Sequence, residues 1–364
     1  MAIFDHYYLY TIIVTLVAIV WLALFRYRWI LDRPWHDRIP MRTFKVPNFQ
    51  GIFLIMWLRI GLIIAIPWLL DIPLIKWLLI IATWYGVFNF INDIIDWRWD
   101  MTWIRPIYRL LVQISAVVIY IGISWIHTNI TLFWYELHPW LWFVFSIGWI
   151  VWCINMINFF DGSHAMTAGV SSIGFSAVAF IVSNVVLTIY TVVWSDLTLM
   201  NGIVALCILM SISCFVYTLI EFKPSGVLRD VGMSFIWFLL WALSLLWWAK
   251  VGTMLLVFFL PICDSIRVFI NRILIMKKNP MKGDYTHLHH RLMRLWFTRS
   301  EVRWPVRFFT LTMFLLLIML GEWSIDKLIL FVRLVVLFFV VHIYLYWIKK
   351  IPFELLKKEK KQID

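Results

Sequence analysis

Eleven stretches of this chain are each continuously apolar for about 20 residues, and nothing else limits its fold as strongly. They run over 7–25, 51–70, 73–92, 106–126, 138–157, 166–192, 201–220, 231–249, 251–270, 306–321 and 328–348. A run of that length crosses the hydrocarbon core of a bilayer as one helix. The runs are continuous rather than alternating, so helices and not barrel strands are the spanning form. The expected fold is an all-α polytopic integral membrane protein with about 11 transmembrane helices. Composition agrees, with 63% hydrophobic and only 14% charged residues. No soluble fold of this size has enough interior to hide that much apolar surface. Residues 1–364 read as a single transmembrane domain, without repeats or a soluble module. The stretch Tyr7–Phe25 is too long for a signal-peptide core and has no small-residue cleavage site, so it reads as the first span. Cys153, Cys207, Cys214 and Cys263 lie in apolar stretches without CxxC spacing and read as inert core residues.

Lys and Arg set the orientation. Segment 26–50 carries Arg26, Arg28, Arg33, Arg38, Arg42 and Lys45, segment 271–307 carries nine Lys and Arg residues, and the tail ends in Lys357, Lys358, Lys360 and Lys361. With an odd number of spans, these regions share one face with the segments near 93–105, 158–165 and 221–230. The N-terminus is then outside and the C-terminus cytoplasmic. The same basic loops account for the net charge of +12, so nucleic acid is not an expected partner.

Ionisable residues inside or beside spans are expensive and usually functional. Four groups stand out, all on the inferred cytoplasmic face. Asn92-Asp93-Ile94-Ile95-Asp96, followed by Asp100, brings three carboxylates to the end of one span. They suit a divalent ion or a proton, or simply a solvated helix end. Asn155, Asn158 and Asp161 recur at steps of three, which keeps them on one broad helical face before Gly162-Ser163-His164. Such a face suits hydrogen bonding to a polar ligand. Asp230 opens a span, where a carboxylate also suits a helix N-terminus. The fourth group runs from Pro261 and Asp264 through Arg267, Arg272, Pro280 and Asp284 to His287-Leu288-His289-His290. Three histidines in four residues fit zinc by spacing, but the surrounding Arg and Lys favour an anion. Together, carboxylates beside a basic, His-rich loop fit Mg²⁺ plus phosphates.

The chain resembles the polyprenyl-phosphate N-acetylhexosamine-1-phosphate transferases, the polytopic enzymes that start O-antigen, enterobacterial common antigen and teichoic-acid lipid carriers. They are relatives of the peptidoglycan translocase. The resemblance rests first on Asn155-Met-Ile-Asn158-Phe-Phe-Asp161-Gly162, which matches the N-x-x-N-x-x-D-G signature. Val227-Leu-Arg-Asp230-Val-Gly232 looks like the G-D-V-G-S segment, and His287-x-His289-His290 is similar to the H-x-H-H loop of the sugar-phosphate branch. Asp32-Arg33-Pro34, His36, Lys45, Pro47 and Gly51 look like a worn version of the first cytoplasmic loop. The departures are specific. The family's adjacent Asp pair is broken, so it falls at Asn92-Asp93 counted from the span end or at Trp99-Asp100 counted back from Gln113. His164 stands where the family carries a second Asp, and Arg229 and Met233 flank the Asp230 segment.

The resemblance implies transfer of a sugar-1-phosphate from a UDP-N-acetylhexosamine such as UDP-N-acetylglucosamine to undecaprenyl phosphate, with release of UMP. It places the enzyme in the bacterial inner membrane with its site on the cytoplasmic face. The implied cofactor is Mg²⁺, with Mn²⁺ as a substitute, and Asp230 is its ligand. Asp93, Asp96 or Asp100 would act on the lipid phosphate, and Asn155, Asn158 and Asp161 would line the nucleotide site. Lys45, Asp264, Arg272, His287, His289 and His290 would bind substrate. A homodimer is admitted. The broken Asp pair also admits a catalytically weakened homologue that binds polyprenyl phosphate or scaffolds glycan assembly. A transporter is disfavoured, because the carboxylates sit at one edge rather than at the midplane.

Overall fold

The computed structural model describes residues 9–10, 12–14, 16–17, 50–99, 106–124, 131–132, 135–136, 138–160, 166–188, 194–220, 228–246, 251–277, 287–294, 301–320 and 324–347. The first described element after the helical residues 9–10, 12–14 and 16–17 is α1, Gln50–Ala65, followed by a 3-10 turn at Pro67–Asp71. Next come α2, Pro73–Trp99, and α3, Pro106–Ser124. A two-residue hairpin, β1 Thr131–Leu132 and β2 Tyr135–Glu136, leads to α4, Pro139–Phe160. Then follow α5 Met166–Thr188, α6 Trp194–Ile220, α7 Arg229–Ser244, α8 Val251–Val257 and α9 Phe259–Ile270. Helix α9 runs into a π-helical turn, Asn271–Ile275. The last elements are α10 Leu288–Arg294, α11 Arg303–Leu320 and α12 Ser324–Trp347.

Among the described residues, five helices are long and apolar enough to cross a membrane, and the bent pair α8–α9 makes a sixth. Gly51–Ala65, Asp230–Ser244 and Ile329–Val341 are shorter apolar helices. The chain is thus a multi-pass helical membrane protein. The described architecture is helical, as expected, apart from the short β1–β2 pair. Three sequence expectations need correction. The run 51–70 is not one helix, because it ends at Ala65 before Pro67, which lacks an N–H and opens the 3-10 turn. Residues 93–99 are not loop. No Gly or Pro lies between Asp93 and Pro106, and α2 continues to Trp99. The run 251–270 is not straight and turns by 83° between α8 and α9.

Helix α7 is the centre of the bundle. It is apolar on every side and packs against α1, α2, α4 and α5. An all-round apolar helix belongs in an interior rather than at a surface. Its far end is tied by polar bonds, from Tyr120 Oη to the Ala242 carbonyl at 2.7 Å and from Trp149 Nε1 to Ser244 Oγ at 3.0 Å. Helices α5 and α6 pack closely, joined by Ser176 Oγ–Ser211 Oγ at 2.8 Å and Ser211 Oγ donating to the Ser172 carbonyl at 2.9 Å. Small polar residues do this where lipid offers no hydrophobic driving force between helices. Arg59, half-buried in α1, donates to the Leu79 carbonyl and to Thr83 Oγ1 of α2, both at 2.8 Å.

The crossing of α1 and α7 is a backbone contact. A Cβ on Gly51 would lie 2.2 Å from the Gly232 nitrogen, and one on Gly232 would lie 2.7 Å from the Gly51 Cα. Neither neighbour is a side chain that can swing away. Overpacking of this kind costs about 1–3 kcal/mol or more, which exceeds the ~1 kcal/mol that alanine gains over glycine inside a helix. Gly51→Ala and Gly232→Ala are therefore expected to lower the thermal midpoint in detergent. Gly122→Ala and Gly148→Ala, which face open space, should leave it unchanged or raise it. Equal midpoints across the four variants would contradict the close crossing.

Candidate functional site

The N-terminal end of α7 enters the bundle with orphan backbone N–H groups, as every helix does. Its N-cap, Leu228, has no side-chain acceptor to offer. The acceptor comes from α2. Asp93 Oδ2 takes the Val231 N–H at 3.1 Å, and Asp93 is only 2% exposed. A buried carboxylate at the positive end of a helix is stabilised by that dipole. Asp230 therefore does not cap its own helix. Its Oδ2 accepts Arg109 Nη2 at 2.6 Å, in an ion pair whose Asp230 side chain is 25% exposed. Arg109 stands one turn into α3, where Asp93, Asp230 and Tyr85 all act on its charge. One turn further along α3, Gln113 Oε1 accepts the Asn155 amide at 2.8 Å, and Asn155 also donates to the Val151 carbonyl at 2.7 Å. Four helices thus bring Asp93, Arg109, Gln113, Asn155 and Asp230 to one end of the bundle.

A second group adjoins the first through α4. Ser265 Oγ in α9 donates to the carbonyl of Met156, the residue after Asn155, at 3.3 Å. Beside it, Asp264 is fully buried. Its Oδ1 accepts Arg267 Nη2 at 2.8 Å, while its Oδ2 lies 3.1 Å from His287 Nδ1 and accepts the Leu288 N–H at 3.0 Å. Leu288 is the first residue of α10. A buried carboxylate from one element again holds the start of a helix in another, and here it also fixes the His287 ring. His289 lies parallel to His287 with centroids 5.9 Å apart, and His290 packs against His289 at 3.9 Å. Arg272, in the π turn, is buried.

The structure therefore brings together Asp93, Asn155 and Asp230, and separately Asp264, His287, His289 and His290. Lys45, Asp100 and Asp161 lie outside the described residues, as do the side chains of Asp96 and Asn158. Among the described residues, no three His, Cys, Asp or Glu side chains converge as metal ligands. A Mg²⁺ ion needs less, because one or two carboxylates suffice when phosphates complete the shell. Asp230, partly exposed and beside Asp93, has the hard oxygen chemistry for that role.

Sequence reasoning missed Arg109 and used Gln113 only as an alignment mark. The signal was present, since a lone cation one turn inside an apolar span is costly without a partner. No family model matches the chain. A curated relative from Bacillus subtilis (strain 168), a probable undecaprenyl-phosphate N-acetylglucosaminyl 1-phosphate transferase, is 29% identical to it over 165 residues. That match covers 42% of this chain and 41% of the relative, so it spans less than half of either protein. The resemblance that the motifs carry is thus supported by a curated relative, and the chain is similar at the family level to the polyprenyl-phosphate sugar-1-phosphate transferases.

Proposed function

We propose that this chain transfers an N-acetylhexosamine-1-phosphate from a UDP-sugar to undecaprenyl phosphate and releases UMP. This would be the first membrane step of a cell-surface glycan such as an O-antigen. The enzyme would sit in a bacterial inner membrane with eleven spans, its N-terminus outside and its site on the cytoplasmic face, where a soluble nucleotide sugar meets a lipid acceptor. One observation carries the reading. Asp93, Arg109 and Asp230, from three helices, meet at one end of the bundle beside the Gln113–Asn155 bond.

In this reaction an oxygen of the lipid phosphate attacks the β-phosphorus of the UDP-sugar. The bond from that phosphorus to the bridging oxygen breaks, and UMP leaves. Phosphoryl transfer of this kind asks the protein for positioning and charge neutralisation rather than covalent chemistry. Asp230, with Asp93 beside it, would hold Mg²⁺, which when bound neutralises the developing pyrophosphate charge. Arg109 keeps the Asp230 carboxylate oriented and brings a guanidinium to where phosphate oxygens would gather. Asn155, held by Gln113, offers an amide on the nucleotide side. His287, fixed by Asp264, orders the histidine loop that with Arg272 would receive phosphate charge.

Purified protein given undecaprenyl phosphate, Mg²⁺ and a panel of UDP-sugars is expected to release UMP with at least one UDP-N-acetylhexosamine. EDTA should stop the release and added Mg²⁺ restore it. No release with any sugar would overturn the transferase reading and leave a lipid-binding homologue in its place. Asp230→Asn should abolish UMP release while keeping the elution profile of the folded protein, and retained activity would remove Asp230 from the metal role. Arg109→Ala should lower kcat/KM by about 10²-fold, the usual scale for losing one charge-stabilising donor. Arg109→Lys should fall between, since a lysine supplies charge without the planar fork. Wild-type kinetics in Arg109→Ala would make the ion pair structural only.

A further inference from the structure

The bend between α8 and α9 has two separable causes. Pro261 supplies the first. It has no N–H for the Val257 carbonyl four residues back, and its ring crowds that carbonyl, so the helix can bend there. A proline loosens a helix without choosing an angle. The angle is chosen by Phe258, the residue at the break. Its ring is fully buried, 5.6 Å from Trp237 and 5.0 Å from Trp241, both on the central helix α7. Trp149 of α4 backs Trp241 at 5.3 Å. The fourth wall is Gly174 of α5. A Cβ there would lie 2.5 Å from Phe258 Cζ and 3.0 Å from Leu240 Cδ2. The indole N–H groups of Trp237 and Trp241 have no hydrogen-bond partner among the described residues, so what this pair offers Phe258 is ring surface. Phe259 is gripped separately, 5.6 Å from Phe331 and 6.2 Å from Phe338 of α12, and 6.1 Å from Phe309 of α11. The two ends of the break are thus held by different neighbours.

This matters because the second polar group lies downstream on α9. Asp264 is six residues past Phe258, about 9 Å along the helix. A 10° change in the bend would carry it roughly 1.6 Å, and Arg272 more than twice as far. Misplacement by about 1 Å is enough to cost an enzyme ~10²-fold in rate. We propose that Phe258 is a positioning residue. Seated between Trp237, Trp241 and Gly174, it fixes the angle of the broken span, and so holds Asp264, His287 and Arg272 against the Asp93–Arg109–Asp230 group. The kinetic consequence rests on the transferase reading, whereas the geometric one does not.

The test uses the full-length protein in lipid nanodiscs. Spin labels go on Ile270 of α9 and Phe308 of α11, which are 45% and 73% exposed, in a background with Cys263→Ser. Phe258→Leu and Gly174→Ala should each shift or broaden the label distance by a few ångströms relative to wild type. Each should also lower kcat about 10²-fold, with KM for undecaprenyl phosphate held within about threefold. Phe258→Tyr should behave like Gly174→Ala, because its hydroxyl extends from Cζ toward Gly174. The double variant Gly174→Ala/Phe258→Leu should be more active than Gly174→Ala alone, since leucine lacks the atom that the alanine methyl meets. A wild-type distance distribution in Phe258→Leu would overturn the lock. So would a shifted distribution with wild-type kcat in every variant, because the angle would then not matter. Should Phe258→Leu fail to fold, Gly174→Ala perturbs the same contact from the other side and decides by the same criteria. Absence of transfer in the wild type would sink the transferase reading alone, and the label distances would still judge the lock.

Discussion

The rest of the structure depends on a carboxylate that caps a helix it does not belong to. Helix α7 is surrounded by other helices, so its first N–H groups have little access to water, and an unpaired N–H in such a place is costly. Leu228 cannot serve, and Asp93 reaches over from α2 to accept from Val231. One bond therefore fixes the level of α7 against α2 and frees Asp230 to face Arg109. The Gly51–Gly232 crossing can be as close as it is because that level is set. A slip of one residue would put Met233 or Val231 at the crossing, where there is no room for a side chain.

Asp264 solves the same problem at α10. Both of its oxygens are engaged, by Arg267 on one side and by His287 and the Leu288 N–H on the other. Its described contacts tie the start of α10 and the His287 ring to α9. In lipid every buried charge must find a partner within the protein. Here each partner is also the group that positions the next functional side chain, so satisfaction of buried polar groups and construction of the site are one process.

Much of this was legible in the sequence, and the boundary is physical. Helical spans are read from continuous apolar runs, and α2 to α7 lie where those runs lie. Asn155 could be placed on a polar face at the end of α4 from spacing alone, because helical period is local. What the sequence could not show is pairing between elements. Asp230 could be read as a cap or a ligand from its position, and only the approach of Asp93 from α2 and Arg109 from α3 decides that it is not the cap. Arg109 was hidden because an apolar window averages over one charge. The turn at Phe258 was hidden for a related reason, since hydropathy is blind to direction and the run 251–270 stays apolar through an 83° bend. Pro261 was visible, but a proline marks where a helix can bend and not by how much.

The two polar groups differ in electrostatic sense, and their adjacency is more telling than either alone. Around α7, two carboxylates act on one guanidinium, so the described side chains there have an excess of negative charge that suits a cation. Around α9, Asp264 meets Arg267 and His287, with His289 stacked on His287 and the buried Arg272 further along the same segment, so the described cations outnumber the carboxylate and suit an anion. A pyrophosphate with a divalent ion presents both faces at once, and the Ser265–Met156 bond sets the two groups side by side on α4. Neither group could be built at the centre of a span without a heavy desolvation cost. At the ends of helices the backbone dipoles and the edge of the bilayer reduce that cost. A broken helix such as α8–α9 lets one further segment contribute such an end from within the apolar run, which a straight span of the same sequence could not do.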